Sequence, residues 1–256
     1  MGQAILRVEK RQNYAVLTLN RPDKRNALNV ALLDELEGAL EALAGDAEVR
    51  ALLVRGEGRT FCAGVDLAEM DRSEAAREPA RLEHVFDRIE DFPVPTVAAI
   101  QGAALAGGLE LALHCDIRLA AEETRFGMPV GRLGLVVPYD FIRKLIEVCG
   151  AANTAYILYT AEVLEARRAR ELGLVHEVVA EAALDHAAAA LAAGIAANAP
   201  LALRAMKLTL RRCMSEAFDA YHEDLLKLAT EVRASEDARE GVRAFLAKGN
   251  PVWRGR

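Results

Sequence analysis

The stretch from residue 98 to residue 113 constrains this chain more than any other. An apolar strand pattern (Ala98, Ala99, Ile100) runs through small residues into Gly107 and Gly108, then into a helical pattern with Glu110 in its first turn. A junction of this kind presents free backbone N–H groups and the positive end of a helix dipole to whatever sits in front of it. Glycine at 107 and 108 removes the Cβ that would keep a ligand away from the backbone. The natural guest is an oxygen that carries, or is gaining, negative charge. The plainer alternative is a packing turn, with Glu110 favoured only as a helix-start carboxylate.

A second loop shifts the balance. Ala51, Leu52, Leu53 and Val54 form another apolar strand, followed by a turn at 56–58 and then Phe61, Cys62, Ala63, Gly64, Val65, Asp66 and Leu67. Small residues again precede a short helical pattern. Two such loops, each after a parallel-type strand, can aim one N–H apiece at a shared oxygen.

The rest of the chain bounds the fold. At 256 residues it can bury a full core, and 52% hydrophobic residues exclude general disorder. A net charge of −6 argues against nucleic acid as a partner, and the arginine clusters at 167–170 and 211–212 read as solvated helix faces. The start carries no signal-peptide pattern, and no apolar run approaches the roughly 20 residues of a membrane span, so a cytoplasmic protein is expected. Cys62, Cys115, Cys149 and Cys213 are far apart and read as reduced thiols; only Cys62 is expected to be accessible. The five histidines share no metal-ligand spacing, so no metal site is expected. His114, four residues after Glu110, reads as a packing histidine.

Strands are expected at 4–9, 14–19, 50–54, 96–100 and 116–120, with helices between them at 30–44, 74–91 and 107–114. Asn29 caps the first of these, whose apolar stripe is Leu33, Leu36, Leu40 and Leu43, and Gly45 ends it. Such alternation implies an α/β fold with a largely parallel sheet. Beyond about residue 138 the pattern is helical (140–149, 151–158, 165–172, 181–199, 201–214, 216–233 and 235–247), with one strand at 175–179.

The segments 20–28, 61–67, 101–110, 115–117, 171–175, 235–237 and 240–246, in this order along nearly the whole chain, resemble the enoyl-CoA hydratase/isomerase (crotonase) superfamily. The resemblance implies a crotonase-like spiral of ββα units at 1–195 and a helical trimerisation region at 196–256, forming homotrimers or hexamers. It implies an acyl-CoA substrate and no permanently bound cofactor, coenzyme A arriving as part of the thioester. The backbone N–H groups of Val65 and Gly107 become the oxyanion donors, and Glu110 matches the first of two catalytic glutamates. Lys24, Arg25 and Ala27 fall near the CoA phosphates and pantetheine, and Ala63, Asp66 and Leu67 around the adenine. Gly108 and Val130 fall among the substrate-binding positions, and Phe245 and Lys248 match positions that reach a neighbouring subunit's CoA.

The second glutamate is missing: Val130 stands in its place, and valine transfers no proton. Tyr139 and Asp140 replace the family's small residues near the acyl end. Either is a candidate acid, and Asp140 is equally a helix N-cap. Tyr139 also resembles a feature of methylmalonyl-CoA decarboxylase, although the spacing differs and that enzyme's loop histidine is Val65 here. The expected activity is that of an enoyl-CoA hydratase-like lyase with one glutamate. The alternatives are a one-base isomerase, a decarboxylase, or a CoA-thioester-binding protein with vestigial chemistry.

Overall fold

The structure is a computed structural model describing residues 4–72, 79–215, 230–231 and 233–252. Strands β1 (Leu6–Lys10), β2 (Ala15–Leu19), β3 (Leu52–Gly56), β4 (Thr96–Ile100), β6 (Ile117–Ala121) and β9 (Glu177–Val179) form one sheet in the order β1-β2-β3-β4-β6-β9. Only the β1–β2 pair is antiparallel. The period of two along these strands splits the interior into two cores. Leu17, Leu52, Val54, Ala98 and Ile100 face the larger one, with helices α1 (Val30–Ala44), α3 (Pro79–Glu90), α4 (Gly107–His114) and α5 (Tyr139–Thr160) contributing to it. Their neighbours Val16, Leu53, Val97 and Ala99 face helix α7 (Leu184–Ala196), which presents Leu184, Ala188 and Ala192 at spacings of four.

Asn29 caps α1 as expected, its side-chain oxygen accepting the Leu32 N–H at 3.1 Å. Gly150, at φ 76°, breaks α5 where the sequence divides two helical runs. Asp140 is not the cap of that helix. The helix begins one residue earlier, at Tyr139 behind Pro138, and Asp140 lies in its first turn.

A second sheet escaped the sequence reading. Strands β5 (Ala103–Leu105), β7 (Arg125–Gly127) and β8 (Val163–Glu165) pair in that order, β5 with β7 in parallel and β7 with β8 antiparallel. Each is three residues long, too short to show a period. The helix expected from 165 is α6 (Ala166–Glu171), and α7 is preceded by a single 3-10 turn at Glu181–Ala183.

Two short elements complete the wall of the central cavity: α2 (Leu67–Arg72) and a 3-10 turn at Pro129–Leu133. Helix α8 (Pro200–Ser215) leads into residues outside the description, where most of the helix expected at 216–233 falls. Helix α9 (Glu236–Leu246) returns to the core, capped by Ser235, whose hydroxyl accepts the Ala238 N–H at 3.0 Å. It lies so close to the 129–133 turn that a Cβ on Gly241 would sit 1.8 Å from the Leu133 carbonyl oxygen. Glycine at 241 is therefore a condition of this packing. Among the described residues no single helix is long and apolar enough to cross a membrane.

Candidate active site

The two loops singled out in the sequence lie against each other. Phe61 donates to the Gln101 carbonyl at 2.9 Å, Cys62 to that of Ala103 at 3.1 Å, and Leu105 back to Cys62 at 3.1 Å. The first loop is thus stitched along β5 and arrives under the N-terminus of α4. A Cβ on Gly108 would lie 2.1 Å from the Cys62 carbonyl oxygen, so this close approach demands glycine. Gly108 packs here and does not reach the cavity wall. The same stitching corrects the expectation for Cys62. It is fully buried, desolvation pushes its thiol up to about 12, and it is not accessible. Cys115 and Cys149 are buried free thiols, and the side chain of Cys213 lies outside the described residues.

Val65 and Gly107 end as neighbours: a Cβ on Gly107 would stand 3.6 Å from the Val65 Cγ2. On either side of Val65 the chain is bonded to Leu28, which donates to the Gly64 carbonyl and accepts from Asp66, each at 2.8 Å. A parallel bridge of this kind leaves the N–H of Val65 itself facing away from Leu28. The N–H of Gly107 opens α4, where helix geometry provides no partner. Neither donor is bonded among the described residues. Ala106, the residue that aims the Gly107 N–H, sits at φ 48°, ψ −123°, a conformation that costs a non-glycine residue about 1–3 kcal/mol.

Val65, Gly107 and Glu110 all line one cavity of about 530 Å³. Glu110 is buried, and its side chain has no hydrogen bond among the described residues. Desolvation, reinforced by the charges of Glu83 and Asp140 and opposed by that of Arg233, holds its carboxyl well above the usual carboxylate range. The wall also carries Val130, between Pro129 and the rest of the 3-10 turn, so a second carboxylate is absent there.

The structure brings most of the expected binding residues to this wall. Lys24, Arg25 and Ala27 line one edge, and Ala63, Asp66 and Leu67 the next. Arg25 and Asn26 take consecutive left-handed conformations (φ 51° and 54°). The buried Asn26 side chain secures them by donating to Glu57 at 3.0 Å and Thr60 at 2.6 Å and accepting from the Arg21 N–H at 2.9 Å. The Asp66 carboxylate is held by Arg21 at 3.0 Å, so it shapes the wall. Phe245 lies, with Leu246, on the wall of its own chain's cavity, while Lys248 does not reach it. Tyr139 and Asp140 are not on the wall either; Asp140 acts on Glu110 through its charge. The sequence reading missed Arg233 and Arg81, both on the wall. Neither belongs to a local motif that could have revealed it.

Behind α4 lies a polar cluster. His114 is bonded through Nδ1 to the Glu110 carbonyl at 2.8 Å, and its Nε2 lies 3.5 Å from Glu90. It stacks obliquely on Phe86 at 5.4 Å, and desolvation drops it to about 3, so it packs as a neutral ring. Ligand-type atoms of Asp87, Glu90 and His114 lie within 4.8 Å of one another, a grouping that sequence spacing did not reveal. Lys144 and Arg211 already supply the positive charge there, both paired with Glu90.

Two main-chain donors unbonded among the described residues and one buried carboxyl with a raised pKa thus belong to residues lining a single cavity. The model of the enoyl-CoA hydratase/isomerase family matches residues 9–256, and the chain belongs to that family. It is 38% identical to the 2,3-dehydroadipyl-CoA hydratase of Escherichia coli, over 97% of this chain and 98% of that one. It is 33% identical to the short-chain-enoyl-CoA hydratase of Clostridium acetobutylicum, over 94% of each. Among solved structures, a methylmalonyl-CoA decarboxylase complexed with 2S-carboxypropyl-CoA superimposes with a TM-score of 0.91 over the whole of both chains, at 28% identity.

Proposed function

We propose that the chain binds an acyl-CoA thioester in this cavity, places the thioester oxygen between the N–H groups of Val65 and Gly107, and uses Glu110 as its single proton-transfer group. The observation that carries this reading is the juxtaposition of two main-chain donors and one buried carboxyl, none of them bonded among the described residues. When a proton leaves carbon next to the thioester, charge moves to the oxygen, where two preorganised donors receive it. In its ionised form a carboxylate with a raised pKa takes such a proton and, now the acid, returns it to another carbon of the same chain, which shifts the double bond. Hydration asks for more: a proton at the α-carbon and an activated water at the β-carbon. With Val130 on the wall, Glu110 has to serve both steps. Isomerisation of an enoyl-CoA is therefore the favoured reaction and hydratase-like addition of water the slower one. Decarboxylation is the second reading, favoured by the whole-chain likeness to methylmalonyl-CoA decarboxylase, because loss of CO2 generates the same enolate and needs only the donors and a proton source.

Lys24 and Arg25 would meet the CoA phosphates, and Ala27, Ala63, Asp66 and Leu67 would flank pantetheine and adenine. The buried free thiols suit a cytoplasmic setting. Residues 196–256 are proposed as the assembly region of a homotrimer or a hexamer, since α8 exposes Leu201, Met206, Leu208 and Leu210. Light scattering that finds a monomer removes that part.

The deciding experiment gives the protein crotonyl-CoA, a β,γ-enoyl-CoA and a malonyl-type thioester, with products separated by chromatography. Isomerisation should exceed hydration, and Val130→Glu should raise hydration about ten-fold or more by restoring a second proton-transfer group. Wild-type hydration near about 10⁶ M⁻¹s⁻¹ with no gain from Val130→Glu overturns the single-carboxylate reading.

A further inference from the structure

Besides Lys24 and Arg25, two arginines stand on the cavity wall, Arg81 and Arg233. The charge of Arg81 is matched by an ion pair with Asp34. Arg233 has neither an ion pair nor a hydrogen bond among the described residues. It is half-buried just ahead of α9, so it has given up part of its hydration without gaining a direct partner. That arrangement is costly for a guanidinium and leaves its planar fork of donors available.

Its place in the cavity is defined by its electrostatic neighbours. Arg233 feels Glu83 and Glu110, and it is the cation among the leading charges that act on Glu110. Arg233 thus belongs to the Glu110 side of the cavity wall. Apart from Glu110, the carboxylates on the wall do not compete for it. Asp66 is held by Arg21, Glu69 accepts the Val30 N–H at 3.3 Å, and Asp23 is exposed beside Lys24. Glu83, Asp87 and Asp140, whose charges reach Glu110, are not on the wall.

We infer that Arg233 receives a free carboxylate on the far part of the acyl chain, so that the substrates are CoA thioesters of dicarboxylic acids. This rests on the function proposed above, which puts the acyl chain at the Glu110 end and the CoA phosphates at the other. A guanidinium binds a carboxylate through two parallel N–H···O bonds, and in a partly desolvated setting such a pair discriminates strongly against a neutral tail. The main-chain donors hold one end of the acyl group and Arg233 the other, and the carbons between them pass Glu110.

The test is calorimetric and uses saturated thioesters, which bind without a double bond to react. Glutaryl- and adipyl-CoA are compared with pentanoyl- and hexanoyl-CoA, and with an ω-amino acyl-CoA of matching length. The expected order in the wild type is carboxylate over methyl by about ten-fold or more, with the ammonium tail weakest. Arg233→Met should bring the carboxylate-to-methyl ratio to about one, and Arg233→Lys should keep part of it. The wild-type series needs no variant, so a misfolded Arg233→Met leaves the inference open to refutation. Tight binding with no preference between carboxylate and methyl overturns the inference and leaves the proposed function standing. Equal weakening of both tails in Arg233→Met overturns it in favour of a purely structural arginine. Failure of every thioester to bind brings down the proposed function, and this inference with it.

Discussion

Glu90 and Glu110 are buried to nearly the same degree, 5% and 4% exposed, on two helices packed against each other. Their surroundings differ completely. Glu90, at the end of α3, is paired with Lys144 and Arg211 and lies beside His114. Glu110, in the first turn of α4, has no side-chain partner among the described residues and lines the cavity. Equal burial therefore accompanies opposite settings. Lys144 and Arg211 tie one carboxylate into the framework, while desolvation holds the other's pKa above the usual carboxylate range. At equal depth, what separates these two carboxyls is their inventory of partners.

The contrast is broken most severely by Glu110→Gln. Turnover on an enoyl-CoA should fall about 10²–10⁴-fold, while the thermal midpoint stays level or rises. Steady-state kinetics and calorimetry check the two halves, and a loss smaller than about ten-fold would move the proton transfer to another group. Glu90→Gln should do the reverse. It takes one of two carboxylate partners from each of Lys144 and Arg211, which keep Glu147 and Asp91, and should cost about 3 kcal/mol in urea denaturation. A cost under about 1 kcal/mol would mean that the cluster is effectively solvated.

The smallest effect is in the pH dependence, where Glu110 and His114 pull in opposite directions. The carboxyl of Glu110 is raised above its ordinary value of 4.5, so the folded chain holds that proton longer than the unfolded chain. Its contribution is fully present below 4.5 and is lost as pH rises through the folded value. The stability gap between Glu110→Gln and wild type should accordingly widen with rising pH. His114 is lowered from 6.5 to about 3, so its contribution is present above 6.5 and fades as pH falls toward 3. His114→Phe should flatten that acid limb. Urea midpoints across the pH range test both slopes, and parallel profiles for all three proteins would contradict both assignments.

The legible parts of the molecule are those written in local pattern. The apolar runs of β2, β3 and β4, the Asn29 cap, the Gly150 break and the glycines before Glu110 each carry their meaning within a few residues. What could not be read depends on distant partners. Residues 103–105, 125–127 and 163–165 become strands only through one another. Cys62 is sealed because its loop lies on β5 and under α4, which nothing at 61–67 announces. Arg233 reaches the Glu110 end from the far side of the chain because α9 is drawn onto the 129–133 turn at Gly241. The Asp140 cap failed for a subtler reason: Pro138, with its missing N–H and fixed φ, starts the helix one residue early.

The strained backbone at Ala106 sets heat resistance against function. Glycine would occupy φ 48°, ψ −123° without steric penalty, so selection for thermal tolerance alone would drift toward it. The methyl group of Ala106 also restricts how far this peptide can swing, and the Gly107 N–H inherits that restriction. A library ranked only by melting temperature would enrich the substitution that lets this donor wander. In this scaffold the hardiest variants and the fastest ones should part company at a single methyl group.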